Sequence, residues 1–255
     1  MTPAEALAHA IRHPKRADRP AIMPYLTCGY PSRDGFASLI QRVAEVADVI
    51  EVGVPFSDPM ADGPVIQASS HAALQQGVTL RWILDTLRGL PQPLASKLVL
   101  MSYLNPLLAF GLAPLVDELR ELGFGGMIVP DLPWEEGGEL RGLLDDAGMA
   151  FIQLVTPVTQ GDRLVRLTRG PGGFVYAVTI TGTTGAAMNP AEVAGYLDRV
   201  RSVSKVPVCA GFGIRSADHV RGLAGHADGV VVGSALIEAL GRGEDGADFI
   251  RGLLA

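Results

Sequence analysis

The stretch from Val49 to Gln67 reads VIEVGVPFSDPMADGPVIQ. Val49-Ile50 and Val52 to Val54 form an apolar run interrupted by one carboxylate, Glu51. β-Branched residues bounded by turn chemistry predict a buried strand. Pro55, Asp58-Pro59, Asp62 and Gly63-Pro64 predict a stiff loop, because each proline fixes φ and removes an amide donor. From Val65 the pattern turns helical and stays so to Gln76. A carboxylate inside an apolar strand is costly unless it is paired or protonated. Glu51 is therefore either one half of a structural ion pair or an acid/base with a tuned pKa. A second carboxylate, Asp62, waits on the adjoining loop and favours the functional reading.

The strand–loop–helix unit recurs on both sides of this stretch. Toward the N-terminus lie an amphipathic helix (Pro3 to Ile11), an apolar strand (Ala21 to Leu26) ending at Thr27-Cys28-Gly29, and a helix (Gly35 to Val46). Ser32 and Asp34 are the candidate caps of that helix. Toward the C-terminus, strands are predicted at Lys97 to Tyr103, Gly126 to Val129, Ala150 to Val155, Phe174 to Thr179, Val206 to Ala210 and Gly229 to Val232. Helical segments separate them, the first from Thr79. The strands read as continuous apolar runs, as expected when both faces are buried. Eight strands alternating with at least eight helices predict one (β/α)8 barrel spanning residues 1–255, with an extra N-terminal helix. A doubly wound sheet is the alternative, but it calls for a glycine-rich fingerprint after the first strand, and TCGYPS is not one.

Composition bounds the partners. Of 255 residues, 48% are hydrophobic and 19% charged, which excludes a disordered chain. A net charge of −6 argues against nucleic acid or anionic membrane as the main partner. The two cysteines, Cys28 and Cys209, sit in apolar runs and suit a reducing compartment. The N-terminus carries scattered charges and no continuous apolar segment, so no signal peptide is expected. Leu98 to Val116 is uncharged but contains Ser102, Asn105, Pro106, Gly111 and Pro114, so it reads as strand, loop and helix start. A soluble, cytoplasmic protein is expected.

In such barrels chemistry sits at the C-terminal ends of the strands. Polar and glycine residues gather there: Glu51, Asp62, Tyr103, Asn105, Asp131, Thr184-Gly185, Gly211, Gly213 and Gly233-Ser234. The opposite face shows only ordinary turn residues. Gly211-Phe212-Gly213 and Gly233-Ser234 follow the last two strands and predict a phosphate site built from bare amides at helix starts. The lysines are Lys15, Lys97 and Lys205, and the last two stand at the starting ends of their strands, at the bottom of the barrel, which disfavours a Schiff-base aldolase. The histidines, His9, His13, His71, His219 and His226, fall in helical segments, and no metal cluster is evident. Cofactor-free acid/base chemistry by carboxylates on a phosphorylated substrate remains.

PFSDPMADGPVIQ, with Glu51 four positions before Pro55, closely resembles the signature of the tryptophan synthase α subunit family. YLTCGYPS, SYLNPLLAFG, MIVPDLPWEE, ITGTTGA, VCAGFGI and ADGVVVGSALI agree with it in order and spacing, so the resemblance covers essentially the whole chain. It implies retro-aldol cleavage of indole-3-glycerol phosphate to indole and glyceraldehyde 3-phosphate. Glu51 would then be the acid/base, and Asp62 would accept a hydrogen bond from the indole N–H. Tyr25, Met101, Tyr103, Ile128, Leu154, Tyr176 and Phe212 would line the indole pocket. Gly185, Gly213, Gly233 and Ser234 would hold the phosphate through main-chain amides, and Thr184 would help close the site. The resemblance also implies no cofactor or metal on this chain. The expected partner is a pyridoxal-phosphate-dependent β subunit in an α2β2 heterotetramer, facing the Asp58-Pro59 loop and the Asn105-Pro106 region. A stand-alone lyase releasing free indole, a non-catalytic activator of a β subunit, and another phosphate-barrel enzyme such as a sugar-phosphate isomerase are the alternatives.

Overall fold

The computed structural model describes residues 1–170, 172–181, 186–187, 190–211 and 213–255. Its strands are β1 (Ala21–Thr27), β2 (Val49–Gly53), β3 (Lys97–Met101), β4 (Phe124–Ile128), β5 (Ala150–Val155), β6 (Val175–Val178), β7 (Ile180–Thr181), β8 (Ala186–Ala187), β9 (Val208–Gly211) and β10 (Gly229–Val232). Eight of them close a parallel barrel in the order β1-β10-β9-β6-β5-β4-β3-β2, and β7 pairs antiparallel with β8 outside it. The expected (β/α)8 barrel is the observed fold.

The helices are α1 (Pro3–Arg12), α2 (Phe36–Val46), α3 (Pro64–Gln75), α4 (Leu80–Arg88), α5 (Leu104–Phe110), α6 (Leu112–Glu121), α7 (Gly138–Asp146), α8 (Gly161–Leu167), α9 (Pro190–Val203), α10 (Ala217–Gly222), α11 (Ser234–Gly241) and α12 (Gly246–Leu253). The extra N-terminal helix is α1, and it plugs the barrel floor. Thr2 and Glu5 form a capping box at its start, with bonds of 3.2 and 2.7 Å. Leu7 and Ile11, both fully buried, join the inner cluster with Met23, Val49 and Val99. Each such aliphatic contributes roughly 1.5–3 kcal/mol by leaving water. Gly125 makes room for this plug, since a Cβ there would lie 2.7 Å from that of Leu7.

Side chains alternate across a strand, and β2 shows what that does. Ile50 and Val52 point outward into the layer shared with Ile40, Val43 and Leu84 of the helices. Val49 points inward with Met23, Val99 and Cys209. Glu51, two residues on, therefore faces the barrel interior. Its register partners are Tyr25 in β1 and Val99 in β3.

Several local expectations change. Neither Ser32 nor Asp34 caps α2; its N-cap is Gly35, with no side-chain bond to the helix. The loop expected after β3 is instead a helix, α5. Pro106 falls within its first turn, where a missing amide is tolerated, and Gly111 at φ +97° ends it before α6. His13 is the C-cap of α1, and His226 lies in a turn before β10.

Candidate active site

Glu51 is buried to 1% exposure, and neither carboxylate oxygen has a hydrogen-bond partner among the described residues. Among the described residues no cation pairs with it. Burial alone pushes its pKa from 4.5 up to about 8, so the side chain carries a proton at neutral pH. That excludes the structural ion pair left open by the sequence.

Tyr25 and Tyr176 frame this acid. Tyr25 follows Ala21 and Met23 on the inward face of β1, and its phenol fills the space a side chain at Gly53 would need, 2.4 Å from a Cβ built there. Tyr176 lies over Gly211 in the same manner, 2.1 Å from the corresponding position. Both phenols are buried, which raises their pKa values, and the charges of Glu51 and Asp62 raise them further. They stay protonated and able to donate.

Asp62 comes from the loop between β2 and α3 and is half-buried. The Tyr103 hydroxyl donates to its Oδ2 at 3.1 Å and accepts the Ala61 N–H at 2.9 Å. Burial raises the Asp62 pKa to about 6, and the Tyr103 bond works against that rise. Phe56 stacks on Tyr103 with ring centroids 5.1 Å apart. Met101 and Leu154 are partly buried against the inner cluster, whereas Ile128 is wholly buried inside it.

The two glycine turns differ. Gly233 is the N-cap of α11 and Ser234 its first residue, with no side chain capping the helix, so its first amides suit an anion. Tyr25 Cβ is 3.8 Å from a Cβ built on Gly233, so this turn abuts Tyr25. Gly213 adopts φ +84° and stands ahead of α10, which starts at Ala217 under its own Ser216 cap. The expectation that both turns open helices therefore holds only for Gly233-Ser234. Thr184, Gly185 and Phe212 lie outside the described residues.

Sequence reasoning missed Phe56 and Thr179. Thr179 binds the Gly211 carbonyl twice, from Oγ1 at 2.7 Å and from its amide at 3.0 Å, and so anchors the glycine turn. It missed the opposite face too, where Asp48 is buried amid Lys15, Arg19 and Ile22. Only Thr179 carried a signal, as a polar residue ending an apolar run.

The model of the tryptophan synthase alpha chain family matches residues 11–250. The chain belongs to this family. It is 44% identical over 250 residues to the tryptophan synthase alpha chain of Nitratidesulfovibrio vulgaris strain DP4, covering 97% of each chain. Its identity to that of Xylella fastidiosa strain 9a5c is 44% over 239 residues, 92% of this chain and 88% of the relative. Among solved structures it is similar to tryptophan synthase subunit alpha from Legionella pneumophila strain Paris, with TM-score 0.85, 30% identity and 98% and 95% of the two chains covered. It is likewise similar to the aminoacrylate-bound form of tryptophan synthase from M. tuberculosis, with TM-score 0.82, 33% identity and coverage of 98% and 96%. Among the described residues no helix is long and apolar enough to cross a membrane.

Proposed function

We propose that this alpha chain is a lyase that cleaves indole-3-glycerol phosphate into indole and glyceraldehyde 3-phosphate, working as one catalytic unit over residues 1–255. The observation that carries the reading is the buried Glu51 carboxyl, without a hydrogen-bond partner among the described residues and protonated at neutral pH. It gives its proton to indole C3, producing an indolenine whose ring can leave. The resulting carboxylate then takes the proton of the adjacent glycerol hydroxyl. The C–C bond pair returns to the ring, the hydroxyl carbon becomes the aldehyde, and Glu51 ends protonated as it began. Asp62 accepts from the indole N–H and stabilises the positive charge that develops on that nitrogen.

Tyr25, Met101, Leu154 and Tyr176 bound the ring over Ile128, with Tyr103 holding Asp62 and Phe212 completing the pocket. Amides of Gly185, Gly213, Gly233 and Ser234 take the phosphate, and Thr184 helps close the site. The indole passes to a β subunit in an α2β2 heterotetramer in the cytoplasm. Exposed Met60 and Leu108, beside Asp58-Pro59 and Asn105-Pro106, suit that docking face.

The test is indole release from indole-3-glycerol phosphate by the pure chain, then with added β subunit. Release stimulated by the partner is expected. Full release alone, unchanged by the partner, means a stand-alone lyase; release by neither means a non-catalytic activator.

A further inference from the structure

A residue outside the proposed chemistry governs one inside it. Tyr103 is the N-cap of α5, yet no side chain of its own turn caps the helix, and the Ser102 hydroxyl is spent on the Tyr103 carbonyl at 2.9 Å. The missing cap comes from the end of the next strand. Asp131, after β4, accepts the Leu104 N–H at 3.0 Å through Oδ1 and at 3.3 Å through Oδ2. A carboxylate at a helix N-terminus is both a hydrogen-bond acceptor and a charge favoured by the dipole. On the other side of the same residue, the Tyr103 ring stacks on Phe56 and its hydroxyl joins Ala61 N–H to Asp62 Oδ2. Tyr103 is thus clamped at its backbone by Asp131 and at its tip by the Asp62 loop.

We propose that Asp131 is a positioning residue for the reaction: by fixing the first turn of α5 it sets the Tyr103 hydroxyl, and through it the orientation of Asp62. This rests on the role of Asp62 given above. Asp131 is exposed, so its effect is exerted through the α5 backbone and not by lining the pocket. The acid it serves faces the Tyr103 hydroxyl directly, and its charge also reaches Tyr25 and Tyr176. Asp131 acts electrostatically on Tyr103 as well.

The experiment measures kcat, KM and the pH profile of indole release for Asp131→Ala, Asp131→Asn, Tyr103→Phe, the Asp131→Ala/Tyr103→Phe double variant and Asp62→Asn. Asp131→Ala is expected to lower kcat on the order of tenfold with a smaller change in KM. The acid limb of its profile moves to higher pH, because losing the Tyr103 bond removes a contact that favours ionised Asp62. The double variant is no worse than Tyr103→Phe, and Asp131→Asn, whose amide oxygen still accepts from Leu104, recovers most of the rate. Multiplying losses in the double variant overturn the proposal, as does an Asp131→Ala enzyme that melts earlier but keeps its kcat and acid limb. Should Asp131→Ala fail to fold, Asp131→Leu, which likewise cannot accept from Leu104, is read in its place: an acid limb moved to higher pH supports the proposal, and an unshifted profile overturns it. Full activity in Asp62→Asn overturns the role of Asp62 itself and this proposal with it.

Discussion

Asp48 and Glu51 are three positions apart, and both are buried, at 4% and 1% exposure. Their surroundings are opposite. Asp48, just below β2, accepts from the Lys15 amide at 2.7 Å, the Ile22 amide at 2.8 Å and the Arg19 guanidinium at 3.0 Å. Lys15 in turn donates its ammonium to the carbonyls of Ala44 and Glu45 at 2.6 and 3.2 Å, and burial lowers its pKa. Glu51 has no such company among the described residues. The same cost of burying a carboxylate is therefore offset by partners at the barrel floor and by protonation at the mouth. Burial by itself does not mark chemistry; burial without a partner does.

The largest expected effect separates the two acids by what each supports. Glu51→Gln keeps the shape and removes the exchangeable proton, so turnover falls by about 10²- to 10⁴-fold while cooperative unfolding persists. Retained turnover would break the comparison. Asp48→Ala leaves Arg19 as a buried, unpaired cation and orphans two amides, costing about 3–5 kcal/mol in urea unfolding. Per folded molecule, its indole release stays near that of the parent.

The next effect sharpens the contrast through pH. Glu51 is protonated in the folded chain up to about pH 8, but ionises near 4.5 when unfolded. Between those values the native state binds the extra proton, so this contribution to stability is complete below about pH 4.5 and is lost as pH rises to about 8. Relative to the parent, Glu51→Gln should gain on the order of 5 kcal/mol between acid and pH 9. A pH-independent difference in unfolding free energy would contradict a protonated Glu51. The smallest effect is steric. In Gly53→Ala the new Cβ would press on the Tyr25 phenol at 2.4 Å, costing about 1–3 kcal/mol and weakening substrate binding. An unaltered melting temperature and KM would mean that Tyr25 does not wall the site.

The alternation of apolar strands and helices made the barrel legible, and one charge inside an apolar run made Glu51 legible. Asp48 was not, because its partners lie 33 and 29 residues earlier in sequence and it reads as an ordinary turn residue beside Ala47. Helix α5 escaped for the same reason: its cap, Asp131, is 27 residues beyond Leu104. Asp62 gained its place from motif resemblance, since nothing local in DPMADGP shows that Tyr103 will bind it. Short-range patterning shows what a segment becomes; pairings made across the barrel do not appear in it.

The central claim is that Glu51 holds a proton in a buried site that offers it no partner among the described residues. It is tested most directly by following the carboxylic acid C=O stretch in infrared difference spectra, parent minus Glu51→Gln, from pH 4 to pH 10. The account predicts an acid band that persists through neutrality and disappears near pH 8. Disappearance near pH 4.5, the ordinary value for glutamate, would contradict it.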